Sequence, residues 1–481
     1  MCGSPIWSMR VLFLNPPPVE GVNIVREGRC MQRTGTWTSS VWAPVSLAVT
    51  AAVLREQGIQ VMIADCSVED IDWAGLEKII SSFHPSLVVI NTGTPSIDTD
   101  LGVASLAKKA VPGVHTLAFG IHPSALPDDC FEADEKLDMV VRGEPEFTIR
   151  DAAIAIGSGS GLDGIPGLSY RNTDGSVEHN GKRPFIADLD ELPFPAWDLI
   201  DTGLYRMPFS GEKFLLVPTA RGCPYGCTFC ANKAYYGAAL RKRSPHRVVD
   251  EIALAVREFD VREFLFWSES FTNDQDYTIA IAEEIMNRGL DISWVCNSRV
   301  DTVSPELLKT IKKAGCWMIG FGIESGNQGV LDQVHKGTTL TQAVQAVRMS
   351  QETGLEVTGH CVLGFPGETE ATMRQTIDFA KFLRLDYVQF YCAVAFPGSK
   401  LYERCVENDW IDNDDWRYFE QNFSVLTTQQ LTSGQVMEAR ERAYREFYRQ
   451  PYLVSNVIRK IRSGRDVANF ARMLRDFLRW V

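Results

Sequence analysis

Cys223, Cys227 and Cys230 place three of the chain's twelve thiols in the stretch RGCPYGCTFC, spaced C-x3-C-x2-C, and no fourth cysteine stands nearby. A structural zinc site needs four tetrahedral ligands, usually from two separated pairs. Three thiolates from one loop suit a cubane iron–sulfur cluster instead. Each binds one iron, and the fourth iron is left open to a small chelating molecule. The plain alternatives are a zinc loop and three unrelated thiols.

The elements that must position this loop are legible around it. It follows the apolar run FLLVPTARG. Five more runs come after it: EFLFWSES (263–270), SWVCNSRVD (293–301), WMIGFGIESG (317–326), VTGHCVLGFPGE (357–368) and DYVQFYCAVAFPG (386–398). Helical patterns such as SPHRVVDEIALAVREF separate them. Six consecutive strand–helix units predict a partial (β/α)6 TIM-type barrel over 206–425, whose site lies at the carboxyl ends of the strands. The cysteine loop opens onto that face.

Ahead of the barrel, residues 9–150 show five apolar runs alternating with helical patterns, so the class is α/β throughout. Continuous apolar runs imply parallel strands buried on both faces, here an open flavodoxin-like (Rossmann-type) sheet. Its ligands would lie beyond the carboxyl ends of the strands, at loops 15–18, 65–67, 91–96, 120–124 and 142–146. For any one of these loops, Gly and Pro that merely end a strand are the plainer reading. Residues 151–205 read as a connector carrying a small hairpin around the Asp-Gly turn of GLSYRNTDGSVEHNG. Residues 426–481 read as a helical C-terminal region.

The net charge of −13 argues against a nucleic-acid binder working through a global basic field. No apolar run approaches the roughly 18 residues that span a bilayer. The start, MCGSPIWSMR, lacks the apolar core of a signal peptide. The expected location is the cytoplasm, where thiols are reduced. The first strand pattern begins after Met9, so residues 1–8 read as a dispensable leader and Met9 competes with Met1 as the start.

With the aromatic Phe229 just before its last cysteine, the triplet resembles the radical SAM (S-adenosylmethionine) superfamily signature. The stretches NPPPVEG, EGRCMQR, ARGCPYGCTFCANK, CNSRVD, GFGIESG, VLGFPGET and AFPGSKLY extend the resemblance over nearly all of 9–450. They match radical SAM enzymes that carry a cobalamin-binding domain, the group with bacteriochlorophyll ring-forming and hopanoid-modifying members. The resemblance implies a 4Fe–4S cluster on Cys223, Cys227 and Cys230, with SAM bound to the open iron through its amine and carboxylate. It implies reductive cleavage of SAM to a 5′-deoxyadenosyl radical that removes hydrogen from an unactivated carbon. It also implies an electron donor such as flavodoxin or ferredoxin and a small-molecule or lipid-like substrate.

Carried over residue by residue, the resemblance sets Phe229 against the adenine, with a core aromatic as the alternative. Ser268 and Glu269 in WSES are placed to meet the SAM amine, where relatives more often have an acidic pair. Arg299 pairs with the SAM carboxylate or forms a structural salt bridge. Glu324 and Ser325 touch ribose or methionine. Gly364 and Glu368 belong to the adenosine-side motif, where glycine allows close backbone approach.

In the first domain, the strand-end loops with Asn15, Pro16, Thr94, Gly120, Pro123 and Glu144 would cradle cobalamin; an empty relic domain is the alternative. The usual D-x-H-x-x-G loop is missing, and His122 is the only histidine in the five loops, so no protein nitrogen is expected on cobalt. Cys296, Cys316, Cys361 and Cys392 read as small core hydrophobes, while Cys30 sits in a polar stretch that could face the interdomain cavity. Cobalamin-dependent methylation of an unactivated carbon is the first reading of the reaction. A radical cyclisation, rearrangement or dehydration without methyl transfer is the second, and an iron–sulfur sensor the third. The basic tail, with Arg459, Lys460, Arg462, Arg465, Arg472, Arg475 and Arg479, is either an amphipathic membrane contact or a helix docked on the barrel.

Overall fold

β1 (Arg10–Asn15), with the sequence RVLFLN, is buried from Val11 onward, as a strand covered by helices on both faces must be. The computed structural model describes residues 9–28, 32–33, 41–208 and 210–453. After β1 come the small ribbon β2 (Ile24–Val25) and β3 (Gln32–Arg33), then β4 (Gln60–Asp65), β5 (Leu87–Asn91), β6 (His115–Phe119) and β7 (Met139–Val141). The parallel strands run in the order β4-β1-β5-β6-β7. In chain order that is 2-1-3-4-5, the flavodoxin-like arrangement.

The hairpin β8 (Leu168–Arg171) and β9 (Val177–His179) pairs antiparallel onto β7. This corrects the expected boundary at 150. That position falls inside the helix Glu146–Ser158, and the first sheet continues to His179. The connector is therefore the shorter stretch that follows.

The second sheet holds β10 (Phe214–Pro218), β13 (Glu263–Trp267), β14 (Ser293–Ser298), β15 (Cys316–Glu324), β16 (Glu356–Leu363) and β17 (Tyr387–Cys392), all parallel and in chain order. Four fall within a run expected from the sequence, and β15 and β16 each begin one residue ahead of theirs. Between β10 and β13 the chain makes a two-stranded clasp, β11 (Ala220–Arg221) with β12 (Arg241–Lys242). β10 and β17 do not pair, so the barrel is open.

An unpaired strand edge needs its backbone groups satisfied some other way. The helix Ser433–Tyr448 supplies partners along β17. Tyr444 Oη accepts from Phe390 N at 3.0 Å, and Arg440 Nε donates to Phe390 O at 2.8 Å. Tyr448 Oη accepts from Val388 N at 3.1 Å and donates to Val388 O at 3.0 Å. This helix begins at Ser433 with a Thr432–Gln435 capping box, earlier than the position near Glu441 where the sequence pattern becomes plain. The basic tail from Arg459, Cys30 and the leader lie outside the described residues.

Candidate functional site

The six barrel strands enclose a cavity of about 300 Å³. Residues of both domains line it. Val25, Gln32 and Trp42 come from the first domain, while Cys230, Ser268, Glu269, Arg299, Glu324 and Lys336 mark the mouth of the barrel. Trp42 meets Trp267 edge-on with ring centroids 5.0 Å apart. Gly28 has φ +86°, and a Cβ there would lie 2.5 Å from Trp267 Cζ2. Glycine is required at that position because the indole occupies the side-chain space.

The cysteine loop is pinned at several points. Cys223 N donates to Gly237 O at 3.3 Å, Thr228 N to Val334 O at 3.0 Å, Cys230 N to Cys227 O at 3.3 Å, and Leu401 N to Thr228 O at 2.9 Å. Gly222 closes its stem at φ +87°, where a Cβ would meet Ala239 O at 2.1 Å. The three thiols are partly exposed. Burial pushes the Cys227 thiol up, and the nearby Lys336 and Arg299 cations oppose that shift. Cations beside a thiol favour the thiolate that binds metal. Among the described residues, no three His, Cys, Asp or Glu side chains converge on a single ion. Thiolates that each take a separate iron need no such convergence.

Arg299 is paired within the protein. Its Nε and Nη2 each lie 2.9 Å from an Asp301 carboxylate oxygen, its Nη2 also donates to Lys336 O, and its guanidinium lies 3.5 Å from the Tyr225 ring centroid. It stands at the mouth, already paired.

Glu324 ends β15 at φ +61°, just past a register shift that follows Gly322. A non-glycine residue held there is strained, a common feature of functional sites. Its Oε1 accepts from Lys336 Nζ at 2.6 Å. Asn232, with its amide nitrogen turned toward Glu269, lies 2.8 Å from Glu269 Oε1. Ser268 Oγ is buried without a partner on the cavity wall. An orphaned hydroxyl is costly unless a ligand satisfies it. These residues therefore fit a cluster with a polar chelating ligand beside it.

Three of the expected contact residues lie off the cavity wall. Ser325 does not line the cavity; its Oγ meets Thr376 Oγ1 at 3.1 Å and accepts from Asn327 N at 3.1 Å. Gly364, at φ +88°, spares a clash with Val436, whose Cγ1 would lie 2.7 Å from its Cβ, so its missing side chain serves helix packing. Glu368 is buried and accepts from Gly364 N at 2.8 Å and Phe365 N at 3.0 Å. Burial pushes its carboxyl up to about 7. The turn it pins presents Phe365 to Phe229, with centroids 5.2 Å apart, so Phe229 does face the cavity.

In the first domain, none of Asn15, Pro16, Thr94, Gly120, Pro123 and Glu144 lines that cavity. Asn15 Oδ1 accepts from Asn91 Nδ2 at 3.0 Å, and Pro16 O accepts from Ser67 Oγ at 3.4 Å. Thr94 Oγ1 and Asp129 Oδ2 hold the two ring nitrogens of buried His122 at 3.3 and 3.2 Å, so that imidazole is engaged on both sides. Gly120 packs against the neighbouring loop, since its Cβ would lie 2.0 Å from Thr92 O; Pro123 is buried beside it.

Glu144 is corrected from a cradle residue to an interdomain tie. It accepts from Arg221 at 3.0 Å, Arg241 at 2.9 Å and Ile186 N at 2.7 Å. For a macrocycle, the fitting features are the shared wall of Val25, Gln32, Trp42 and Trp267, and the buried Thr92 Oγ1, which has no partner at the end of β5.

The sequence reading missed Lys336, Asn297, His360, Gln389 and Tyr391, all on the cavity wall. The last four are polar residues inside apolar strand runs, and that was the available signal. Cys296, Cys316, Cys361 and Cys392 are buried as expected, although Cys296 and Cys392 also line the cavity.

Residues 217–380 match the model of the Radical SAM superfamily, and residues 37–153 match that of the B12 binding domain. An uncharacterized methyltransferase of Pyrococcus horikoshii is 34% identical over 443 residues, 92% of this chain and 93% of that protein. The anaerobic magnesium-protoporphyrin IX monomethyl ester cyclase of Rubrivivax gelatinosus is 26% identical over 446 residues, 92% and 77% of the two chains. Two solved structures share the fold. The radical SAM methyltransferase TsrM from Kitasatospora setae, with cobalamin and a 4Fe–4S cluster bound, has a TM-score of 0.68 at 19% identity, covering 91% of this chain and 85% of its own. The cobalamin-dependent SAM radical enzyme OxsB, with aqua-cobalamin and SAM bound, has a TM-score of 0.74 at 18% identity, covering 98% and 72%.

Proposed function

The chain belongs to the radical SAM enzymes that carry a B12-binding domain, and from that premise we propose that it methylates an unactivated carbon of a small molecule held in the barrel. The observation that carries the reading is the shared cavity. Cys230 and Glu269 of the barrel and Trp42 and Gln32 of the first domain line one space, so both cofactor faces reach the same substrate. When bound, the cluster and SAM supply a hydrogen-abstracting radical and cobalamin supplies a methyl carrier.

In this reading, Cys223, Cys227 and Cys230 hold the cluster, and Lys336 and Arg299 favour the thiolate of Cys227. Ser268 Oγ and Glu269, the latter steadied by Asn232, meet the SAM amine. Phe229, braced by Phe365, forms the apolar wall for the adenine. Arg299 acts as a positioning cation already paired with Asp301, and Glu324 stays paired with Lys336. With both of its ring nitrogens engaged by Thr94 and Asp129, His122 would not be available as a ligand to a bound cobalamin. The apolar part of the wall, with Leu265, Val295, Met318 and Phe396, limits water around the reacting atoms.

Enzymes of this superfamily need a reductant; flavodoxin or ferredoxin is the donor we assign. Among the described residues, no helix is long and apolar enough to cross a membrane. The cyclase relative supports a second reading in which no methyl group moves. Incubation with methyl-labelled SAM, cobalamin and host extract separates the two. Methyl transfer gives S-adenosylhomocysteine and 5′-deoxyadenosine in similar amounts and a labelled product. Substrate-dependent 5′-deoxyadenosine without label transfer gives the second reading.

A further inference from the structure

Below its charged mouth, the barrel lumen changes character. On β15, Met318, Gly320, Gly322 and Glu324 alternate inward. The two glycines leave room for neighbouring side chains. A Cβ on Gly320 would lie 2.3 Å from Asn297 Oδ1 and 2.9 Å from His360 Nε2. Gly322 similarly makes way for Glu324 and Lys336, at 2.6 and 2.7 Å. The strand register puts Asn297 beside Gly320, Gly322 beside His360, and His360 beside Gln389.

A polar cluster without Asp, Glu, Lys or Arg results. His360 Nε2 lies 3.3 Å from Asn297 Oδ1, its Nδ1 lies 3.4 Å from Tyr391 Oη, and Tyr391 Oη donates to Gln389 Oε1. The first two contacts are longer than good hydrogen bonds, so a ligand with better geometry can replace them. The charged residues of the wall are all tied at the mouth: Arg299 to Asp301, Lys336 to Glu324, and Glu269 to Asn232. An anionic substrate end would find no unspent arginine or lysine among the described lining residues. A purely hydrocarbon end would cover these half-buried polar groups without satisfying them.

We propose that Asn297, His360, Gln389 and Tyr391 form the subsite for the non-reacting end of the substrate, and that this end is an uncharged amide-like group carrying both a donor and an acceptor. The assignment rests on the lumen being the substrate chamber, as argued above. Asn and Gln side chains each offer a donor and an acceptor, which is the complement of a carboxamide or lactam edge. A cavity of about 300 Å³ lies at the small end of ligand pockets. It accommodates such an end.

The test uses matched probes on the anaerobically reconstituted enzyme with its cluster: benzamide, benzoate and benzylamine, titrated by ligand-observed NMR. Benzamide should bind saturably and about tenfold more tightly than either charged probe, the worth of roughly one good hydrogen bond. Asn297→Leu should weaken benzamide about tenfold, with iron content as the folding control. Gly320→Ala, which keeps every polar group but fills the space, should do the same. Equal or tighter binding of a charged probe, no saturable benzamide binding, or indifference to both variants would overturn the proposal. Failure of the wild-type enzyme to cleave SAM would sink the chamber's assigned chemistry and leave the probe ranking intact, so the two failures are told apart.

Discussion

Arg221 Nη2 lies 2.5 Å from Glu146 Oε1, joining the stem of the cysteine loop to the first domain. Glu144 bridges the same Arg221 to Arg241 on the partner strand of the clasp, so two carboxylates hold two arginines. Both acids are almost fully buried. Removing one partner from such a group leaves an uncompensated charge and costs roughly 3–5 kcal/mol. Glu146→Gln should therefore lower the unfolding free energy by about 3 kcal/mol and reduce iron loading. The double variant Arg221→Met/Glu146→Met should recover much of that loss. Urea unfolding checks this, and a Glu146→Gln variant as stable as wild type would contradict it.

Ser268 should behave in the opposite way. Its hydroxyl is buried without a partner, so Ser268→Ala removes an unsatisfied group and should leave thermal stability unchanged or raised. If that hydroxyl meets SAM, the same change should raise the KM for SAM several-fold in 5′-deoxyadenosine formation. A variant with unaltered KM would remove Ser268 from the SAM site.

Glu368 predicts a pH dependence of stability. Burial raises its carboxyl from 4.5 to about 7 in the folded chain, against hydrogen bonds from Phe365 N and Gly364 N that pull it down. Between those values the folded state binds more protons than the unfolded one, so stability falls as pH rises through the window. Its contribution is fully present below pH 4.5 and lost above about 7. Glu27 and Glu420 are shifted to about 7 as well, so only a difference isolates Glu368. Glu368→Gln keeps an oxygen for both backbone donors and stays neutral. It should flatten part of the slope, on the order of 3 kcal/mol across the window. Parallel slopes for variant and wild type would contradict this.

Both sheets could be read from the sequence because parallel strands buried on both faces appear as continuous apolar runs, such as VLFLN and FLLV. The cysteine loop was equally plain, since three thiols at this spacing have few uses other than holding metal. The rest depended on which way a side chain turns. Glu368 and Gly364 stand in a motif that promises cofactor contact, yet one pins a turn and the other makes room for Val436. Glu144 lies in the loop after β7, one of the loops of the expected cradle, but its carboxylate reaches arginines more than seventy residues away. Such long-range pairing leaves no local pattern. His360 and Gln389 did leave one, as polar letters inside VTGHCVL and DYVQFYC, and inward alternation gives those letters their meaning.

The central claim is that the cysteine loop at the barrel mouth drives radical cleavage of SAM. It is tested most directly by 5′-deoxyadenosine formation from anaerobically reconstituted, reduced enzyme, with wild type set against a variant in which Cys223, Cys227 and Cys230 are all replaced by alanine. The account predicts one 4Fe–4S cluster and steady 5′-deoxyadenosine production in the wild type, and neither in the variant. A variant that still makes 5′-deoxyadenosine, or a wild type that holds the cluster and leaves SAM intact, would contradict it.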